Sequence, residues 1–501
     1  MLDTLRVQSF IEEMWSFAGE EKSLVVQGLE DFIRIPNLSP AFDEYWAENG
    51  HLDAAAEALA ASVEKLKEFW AGRGIRTNDI SVEIIGGRKA PLAGEDGKRR
   101  TPLLLVEVPA YAGYSGADTV LLYGHLDKQP EMLPWSAGLM PRVPLIRDGK
   151  LYGRGCADDG YALFSALSAL AALRGQNAPH ARSVILIEAR EESDCVDIEY
   201  YLQSLAGHLG DVSFVTCLDS GAGNYERLWL TSSLRGIVSG LLKVTVLSGG
   251  VHSGLASGIV PSPFRILRAL LSRIEDQTSG VVRLKALHTL IPAAVAGEAK
   301  DAANALGDNV FRHFPFIDEK VRPVTADRAR LLLNRTWRPQ LSVTGVSGLP
   351  EAARAGSVTL PYVEAKISIR TPPTLDGHKA GAAVKKLFEE KPPYNAHVVF
   401  TADEPRSGWA APQRAQWLER AAQEASVAFF GKKSLSLGEG GTIDLISMLS
   451  GAYPAAELFI TGVLGPGANA HGPDESLDLD MARKVTMCAA HVLAAHAARK
   501  A

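Results

Sequence analysis

The sequence has few cysteines, and they are not arranged as ligands or as a disulfide framework. Its 501 residues contain four cysteines, Cys156, Cys195, Cys217 and Cys488, and none of them belongs to a CxxC pair. Small disulfide-stabilised domains and cysteine zinc sites depend on denser, patterned cysteines. Both classes are therefore excluded, and we expect reduced, mostly buried thiols.

The sequence also lacks long apolar runs and an excess of basic residues. No run approaches the roughly 18 apolar residues of a membrane span, and the start, MLDTLRVQSFIEEMW, carries acidic residues early, unlike an export signal. We therefore expect a cytoplasmic protein with no membrane partner. Lys and Arg number 52 against 58 Asp and Glu, a formal charge of −6. Without a basic field, nucleic acid is not expected as a partner.

Apolar residues are abundant, at 46% of the chain, and the length exceeds what a single core usually organises. After a helical region over residues 1–75, short apolar runs alternate with helical patterns, which predicts an α/β domain with a mostly parallel sheet. The runs that predict strands or helices are LLLVEV (103–108), TVLLYG (119–124), YALFSALSALAALR (161–174), SVILIEA (183–189), SFVTCL (213–218) and ELFITGV (457–463).

A second pattern interrupts this domain after Arg235. Strand and helix patterns follow in the order βαββαβ, the ferredoxin-like arrangement, at 236–247, 261–274, 339–346, 356–370, 375–390 and 396–402. We predict a catalytic domain of residues 1–235 and 403–501, with an inserted lid and dimerisation domain of residues 236–402. Residues 276–337, which follow the first lid helix, receive no interpretation.

Acidic residues and histidines follow the predicted strands of the first domain. They are His125 and Asp127, Asp158 and Asp159, Glu191 and Glu192, Asp219, and His471. Ligands of open α/β sheets gather beyond the carboxyl ends of the strands, so these side chains are expected to meet in one crevice.

These residue types suit two divalent cations. Two neutral imidazoles and three carboxylates supply about −3 of charge against +4, and a hydroxide brings the site near neutrality. Paired ions lower the pKa of a water held between them, which favours hydrolysis. Each motif alone has an ordinary alternative, a hydrogen-bonded pair or a solvated carboxylate. Their joint occurrence, in order and at strand ends, favours the metal site.

At these residues the sequence resembles the zinc peptidase family that includes carnosinase, carboxypeptidase G, bacterial dipeptidases, aminoacylases and succinyl-diaminopimelate desuccinylase. The resemblance spans nearly the whole chain. It is carried by the motifs YGHLDKQP, LYGRGCADDG, EAREES, VHSG, SIRTPP, LGEGGTID and NAHGPDESL.

The resemblance implies two bound divalent cations, with zinc favoured and manganese or cobalt compatible. The implied ligands are His125 and Asp219 for one ion, His471 and Glu192 for the other, and Asp158 as the bridge. Glu191 is implied as the general base and acid, and Asp127 as the group that orients His125 through its other ring nitrogen.

The resemblance also implies substrate-binding groups and a homodimer. His252 in GGVHSG would stabilise the oxyanion, often in the partner's active site, and Arg370 in KISIRTPP would bind the substrate's terminal carboxylate. Backbone groups of Gly440, Gly441 and Thr442 would hold the same end of the substrate. An ordinary loop histidine and an ordinary turn remain the alternatives for His252 and for the glycine-rich run.

The implied activity is cleavage of a peptide or amide bond in a small substrate, most simply by a dipeptidase. Asp219 favours substrates with a free amine, because the acylases and carboxypeptidases of the family tend to carry Glu there. Departures such as Gly160-Tyr161 after the Asp pair, and Gly438 before Glu439, remove no ligand. They leave two alternatives open: a deacylase of N-acyl amino acids or a carboxypeptidase, and a metal- or peptide-binding homologue without turnover.

Overall fold

The computed structural model describes residues 2–17, 22–90, 97–442 and 444–499, and the chain divides into two compact units. Unit 1 comprises Met1–Thr231, Pro412–Ser436 and Leu445–Ala501, and unit 2 comprises Ser232–Ala411 and Leu437–Asp444. No helix among the described residues is long and apolar enough to cross a membrane. All four cysteines are buried and none forms a disulfide, as predicted.

Unit 1 contains most of the helices and the larger sheet. Its helices are α1 (Thr4–Met14), α2 (Leu24–Arg34), α3 (Trp46–Asn49), α4 (His51–Ala71), α5 (Tyr161–Arg174), α6 (Val196–Ser204), α7 (Ala206–Leu209), α14 (Gln416–Phe430), α15 (Asp444–Ala452) and α16 (Leu479–Ala498). Its strands are β1 (Ser81–Ile85), β2 (Leu103–Val108), β3 (Thr119–His125), β4 (Leu145–Arg147), β5 (Lys150–Tyr152), β6 (Arg182–Glu188), β7 (Val212–Cys217), β17 (Glu457–Ile460) and β18 (Ser476–Asp478).

The main sheet of unit 1 has six strands in the order β1-β2-β6-β3-β7-β17. The pairs β6 with β3, β3 with β7, and β7 with β17 are parallel, whereas β1 and β2 run antiparallel at one edge. Every residue of β3 is buried, as expected for a strand whose sheet is covered on both faces. The predicted α/β class with a mostly parallel sheet is confirmed.

Helix α5 is buried along its whole length and packs against α1 and α16. A helix that is apolar on all sides must be enclosed by other elements. Its sequence, YALFSALSALAALR, has no polar face to present to water. The helix begins directly after the turn that carries Asp158, and it packs against β3 and β6 of the sheet.

Unit 2 contains a smaller antiparallel sheet, and the chain passes between the units within β8 (Trp229–Leu234) and β16 (Leu435–Glu439). Its other strands are β9 (Gly236–Thr245), β10 (Val251–His252), β11 (Gln340–Ser347), β12 (Val358–Thr359), β13 (Tyr362–Thr371), β14 (His397–Ala402) and β15 (Trp409–Ala410). Its helices are α8 (Ser253–Ala256), α9 (Pro263–Ile274), α10 (Ala293–Leu306), α11 (Asn309–Arg312), α12 (Arg328–Thr336) and α13 (Gly377–Glu389).

The sheet of unit 2 has the order β11-β13-β9-β14 with antiparallel pairs throughout. Together with α9 and α13 this is the ferredoxin-like βαββαβ arrangement that the sequence predicted. Burial alternates along β9 and β13, so one face of the sheet is covered. The core combines apolar side chains of that face with those of the helices, including Val238, Leu242, Ile266, Leu270, Ile367, Ile369, Val384, Phe388 and Phe400.

Residues 276–337, which received no interpretation from the sequence, contain the three helices α10, α11 and α12. These helices contact one another, and their buried residues are small or few: Ala299, Ala302, Ala303, Leu306, Val310, Leu332 and Thr336. An alanine-rich helix has a weak apolar stripe, because alanine contributes little hydrophobic contrast between its two faces. The apolar pattern of the sequence therefore did not predict these three helices.

The units divide the chain differently from the predicted domains at three segments. Residues 232–235, 403–411 and 437–444 group with unit 2, whereas the prediction assigned 1–235 and 403–501 to the catalytic domain. For residues 437–444, hydrogen bonds explain the grouping: Arg235 donates its backbone N–H to the carbonyl of Gly441 (3.0 Å), and the Thr442 hydroxyl donates to the carbonyl of Arg235 (2.6 Å). The segment is tied to the start of unit 2 by main-chain groups that sequence periodicity does not report.

Candidate metal centre

The ends of three neighbouring parallel strands place acidic and imidazole side chains at one edge of the sheet in unit 1. Strand β3 ends at His125, β6 ends just before Glu191 and Glu192, and β7 ends just before Asp219. Parallel strands present their carboxyl ends on the same side, so the three segments converge.

Asp158 lies between the two candidate histidine ligands. Its Oδ1 is 3.1 Å from Nε2 of His125, and its Oδ2 is 3.0 Å from Nε2 of His471. Each carboxylate oxygen thus faces a different imidazole nitrogen. This is the arrangement that a carboxylate shared by two cations requires.

The remaining candidate ligands pair with the two histidines separately. Asp219 Oδ2 lies 3.7 Å from Nε2 of His125, and Glu192 Oε1 lies 3.3 Å from Nε2 of His471. Ligand atoms of His125, Asp158 and Glu192 lie within 4.8 Å of one another, as do those of His125, Glu191 and Asp219. The Glu191 carboxyl group is therefore close enough to share the centre.

The two histidines differ in exposure and in backbone conformation. The His125 side chain is fully buried, whereas that of His471 is 55% exposed. His471 has a φ of 64°, in the left-handed region, which costs free energy for a residue other than glycine. Such strain persists only where the surrounding structure holds the backbone in place, and it is frequent in functional sites.

Asp127 contacts both His125 and the glutamate pair. Nδ1 of His125 lies 3.0 Å from the Asp127 backbone carbonyl and 3.4 Å from Oδ1. The Asp127 carboxylate also accepts hydrogen bonds from the backbone N–H groups of Glu191 (3.2 Å) and Glu192 (3.1 Å). The side chain that sequence reasoning linked to His125 alone therefore also fixes the loop that carries the glutamates.

The pKa values of the site carboxyls are raised by burial and by one another. Burial, followed by the charge of Asp158, raises the pKa of Asp219 to about 7. Burial and the nearby Asp219 raise the pKa of Glu191 well above its ordinary value. In contrast, the pKa of Asp158 lies well below its ordinary value, because hydrogen bonds from His125 and His471 outweigh its burial.

This donor set fits divalent cations. Among the described residues, the ion-pair partners of Asp158, Glu192 and Asp219 are only the two histidines, and no lysine or arginine neutralises them. Buried carboxylates need a compensating charge. Cations held among them would supply it, and imidazole and carboxylate are ligands that zinc, manganese and cobalt all accept.

Glu475 is a functional residue that the sequence reasoning missed. Its fully buried carboxylate accepts hydrogen bonds from Arg154 Nη1 (2.8 Å) and from the backbone N–H groups of Gly155 (3.0 Å), Ala157 (3.1 Å) and Asp158 (3.3 Å). It thereby holds the turn that presents Asp158. The available signal was its position in NAHGPDESL, four residues after His471.

Replacing Glu475 with glutamine should weaken metal binding by roughly 10- to 100-fold, the usual cost of losing a group that supports a metal ligand. The glutamine amide cannot accept on both sides of the turn, so Asp158 loses part of its support. Metal affinity is measured by competition with a chromophoric chelator. Asp480→Asn, at an exposed ion pair with Lys484 on α16, is the control, and an unchanged affinity in Glu475→Gln would contradict this role.

The predicted substrate-binding residues lie in unit 2. His252 is exposed at the start of α8, and its Nδ1 accepts a hydrogen bond from the backbone N–H of Gly254 (3.1 Å). Arg370, at the end of β13, donates from Nη1 to the Thr442 hydroxyl (2.9 Å). Gly440 and Gly441 immediately precede that threonine, so the predicted arginine and the glycine-rich run are brought together.

Comparison with known proteins identifies the family. Residues 121–495 match the model of peptidase family M20/M25/M40, and this match covers all the candidate metal ligands. The chain belongs to this family. Its membership confirms the resemblance drawn from the motifs and the prediction of a hydrolase, and it identifies a dipeptidase-like metallopeptidase.

Several M20/M25/M40 relatives have assigned activities. The chain is 27% identical to the Cys-Gly metallodipeptidase DUG1 of Saccharomyces cerevisiae over 475 residues, which cover 89% of this chain and 94% of the relative. It is 27% identical over 368 residues to the cysteinylglycine-S-conjugate dipeptidase of Corynebacterium striatum, covering 72% and 77%. It is 25% identical over 402 residues to the Beta-Ala-His dipeptidase of Mus musculus, covering 78% and 77%.

Solved M20/M25/M40 structures share the fold. The di-peptidase Dug1p from Saccharomyces cerevisiae has a TM-score of 0.69 at 21% identity, with 100% of this chain and 99% of that chain covered. Human carnosine dipeptidase 1 gives a TM-score of 0.69 at 20% identity, with 99% of each chain covered. At these identities the likeness establishes the architecture.

Proposed function

We propose that this protein hydrolyses the peptide bond of dipeptides with a free amine and a free carboxylate, using two divalent cations, with zinc favoured. The observation that carries the proposal is Asp158, whose two oxygens face His125 and His471 separately. In this proposal Asp158 would contribute to both ions, His125 and Asp219 would hold one of them, and His471 and Glu192 would hold the other. When bound, the ions would supply an activated water and polarise the scissile carbonyl.

Glu191 is proposed as the general base and acid. Its carboxyl group lies close to His125 and Asp219, but each proposed ligand set contains a histidine, a carboxylate of its own and Asp158 without it. Glu191 therefore keeps an oxygen free for a proton. A carboxylate in this place can take a proton from the attacking water and return it to the leaving amine.

Asp127 is proposed to position the other groups. It contacts Nδ1 of His125 through its backbone carbonyl, which keeps Nε2 directed at the metal centre. Its side chain accepts from the backbone of Glu191 and Glu192. One residue therefore aligns a ligand histidine with the proton-transfer glutamate.

Groups of unit 2 are proposed to bind the substrate. Arg370 would bind the C-terminal carboxylate with its guanidinium fork, aided by backbone groups of Gly440, Gly441 and Thr442. His252 would stabilise the oxyanion of the tetrahedral state. Because Nδ1 of His252 accepts from Gly254, Nε2 carries the proton of the neutral ring and is available to donate.

The proposal includes a homodimer in the cytoplasm. The edge strand β11 exposes Val343 and Val346 by 43% and 48%, apolar surface that a two-fold contact would cover. A dimer would allow His252 to serve the partner's active site. Buried cysteines that form no disulfide suit a reducing compartment. Sedimentation of the metal-loaded protein tests the dimer.

The competing activities are deacylation of N-acyl amino acids and carboxypeptidase action on longer substrates. Asp219 supports the dipeptidase proposal, because the family's acylases and carboxypeptidases tend to carry glutamate at this position. A homologue that binds metal or peptide without turnover is disfavoured, because Glu191 is retained beside the metal ligands.

The decisive test is elemental analysis of the purified protein followed by hydrolysis assays with and without a chelator. We expect close to two divalent ions per chain and cleavage of dipeptides that stops with chelator and returns with added zinc, manganese or cobalt. N-acetyl and N-carbamoyl amino acids and tripeptides are assayed in parallel. Activity confined to the acyl compounds would replace the dipeptidase with a deacylase, and chelator-resistant cleavage would remove the metal from the mechanism.

A further inference from the structure

Three arginine side chains gather around Gly440 in unit 2. Arg235 is buried and donates from Nε to the carbonyl of Gly440 (3.0 Å) and from Nη1 to the carbonyl of Asn334 (3.5 Å). A Cβ atom at Gly440 would lie 3.1 Å from Cγ of Arg335 and 3.3 Å from Nη2 of Arg235. Glycine at this position lets the two arginines pack against the loop that also holds Thr442, the partner of Arg370.

This arginine cluster (Arg235, Arg335 and Arg370) has little negative charge to balance it. The hydrogen bonds of Arg235 and Arg370 end on neutral groups, two backbone carbonyls and one hydroxyl. Arg335 Nε is buried and has no hydrogen-bond partner among the described residues. The carboxylate that acts on Arg335 is Glu439, which is partly buried. Among the described residues, neither Arg235 nor Arg370 donates a hydrogen bond to a carboxylate.

The pKa values reflect this crowding of positive charge. Burial, together with the charges of Arg370 and Arg335, lowers the pKa of Arg235 to about 9. Burial lowers the pKa of Arg370 as well. Buried cations without counter-charges are costly, and a bound anion relieves that cost.

The three arginines differ in the contacts that their guanidinium groups already make. Arg235 is committed to the backbone carbonyls that hold the 437–444 segment, which is a structural task. Arg370 is the group proposed for the substrate's main-chain carboxylate. Arg335 is linked to Glu439 by charge and not by a hydrogen bond, and its buried Nε is without a hydrogen-bond partner in the described part of the chain. It is thus the guanidinium available for a second anionic group.

We propose that the arginine cluster selects dipeptides whose C-terminal residue carries a second carboxylate, with Arg335 as the specificity-determining residue for that side chain. This inference rests on the proposed dipeptidase function and narrows its substrate class to C-terminal aspartate or glutamate. One guanidinium fork satisfies one carboxylate. With Arg235 committed to backbone carbonyls, Arg370 and Arg335 offer two guanidinium groups, which match the two carboxylates of such a residue.

The test compares alanyl-glutamate with alanyl-glutamine, which differ only in the charge of the C-terminal side chain. The metal-loaded wild-type enzyme should show a kcat/KM at least about tenfold higher for alanyl-glutamate, the effect of one charge-assisted hydrogen bond. Arg335→Gln should lower this ratio to about one, chiefly by lowering kcat/KM for alanyl-glutamate. Arg335→Lys should retain part of the preference, because it keeps the charge.

Two further variants complete the design. Arg330→Gln, at an exposed position on the same helix α12, should leave the ratio unchanged. Arg370→Gln should lower hydrolysis of both dipeptides. A wild-type ratio near one, or an Arg335→Gln variant that cleaves alanyl-glutamine and keeps the wild-type ratio, would overturn the proposal.

A binding measurement separates this inference from the proposed function. Isothermal titration with free glutamate and free glutamine, the C-terminal products of the two dipeptides, reports charge preference without turnover. If no dipeptide is cleaved, the proposed function fails, and the titration still tests whether the arginine cluster binds a second carboxylate. Tighter binding of glutamate that Arg335→Gln abolishes would support the cluster as a dicarboxylate site, and equal binding of both amino acids would refute it.

Discussion

Replacing Glu191 with alanine should reduce kcat by roughly 10²- to 10⁴-fold, the usual contribution of a positioned acid–base group, while the protein keeps its metal. The expectation follows from geometry. When Glu191 is truncated, each candidate ion still has a histidine, one carboxylate that serves that ion alone, and Asp158. The proton transfer to the leaving amine, however, loses its carrier.

The loop around residue 191 should keep its conformation in the Glu191→Ala variant. Its backbone N–H donates to Asp127 whatever side chain is attached, so the glutamate pair stays aligned. The measurements are kcat with a dipeptide and metal content by elemental analysis. Because the Glu191 carboxyl group is near enough to His125 and Asp219 to act as a ligand, metal content is the decisive readout.

The control is Glu199→Gln, at an exposed glutamate on the adjacent helix α6, which should retain full activity. Glu191→Gln should resemble Glu191→Ala, because an amide cannot accept the proton. A Glu191→Ala variant with wild-type kcat would remove the acid–base assignment. One that has lost a metal ion would reassign Glu191 as a ligand.

The sequence indicated the centre because its residues obey simple rules of α/β folds. Side chains such as His125, Glu192 and Asp219 directly follow strands, and parallel strands end at one edge. The ferredoxin-like unit was also predictable, since β9 and β13 alternate in burial as their sequences alternate in polarity. Local pattern was sufficient where large apolar side chains on one face of an element meet a core.

The features that the sequence did not reveal depend on contacts between distant segments. Glu475 reaches the turn of Asp158 through backbone N–H groups, which leave no trace in composition or periodicity. The 437–444 segment joins unit 2 through the carbonyls of Arg235 and Gly441. The helices of residues 276–337 pack through alanines. All three features depend on main-chain hydrogen bonds or on small side chains, and neither produces a pattern in the sequence.

Replacing Asp158 with asparagine should lower activity by on the order of 10³-fold, because the loss of several kcal/mol of transition-state stabilisation by metal ions corresponds to that factor. Asparagine preserves the shape of the side chain. It substitutes an NH₂ group for one of the two oxygens that face His125 and His471, and an NH₂ group cannot bind a cation. Metal content should therefore fall from close to two ions per chain to one or fewer.

The His471 position should lose its ion first. His471 is 55% exposed and its backbone lies in the left-handed region, whereas His125 is fully buried and contacts Asp127. A ligand that is less enclosed depends more on the shared carboxylate. Asp148→Asn, in the exposed turn between β4 and β5 where asparagine suits the positive φ, is the matched control. If Asp158→Asn binds two ions as tightly as the wild type, the two histidines serve separate sites and the shared carboxylate is not the basis of the centre.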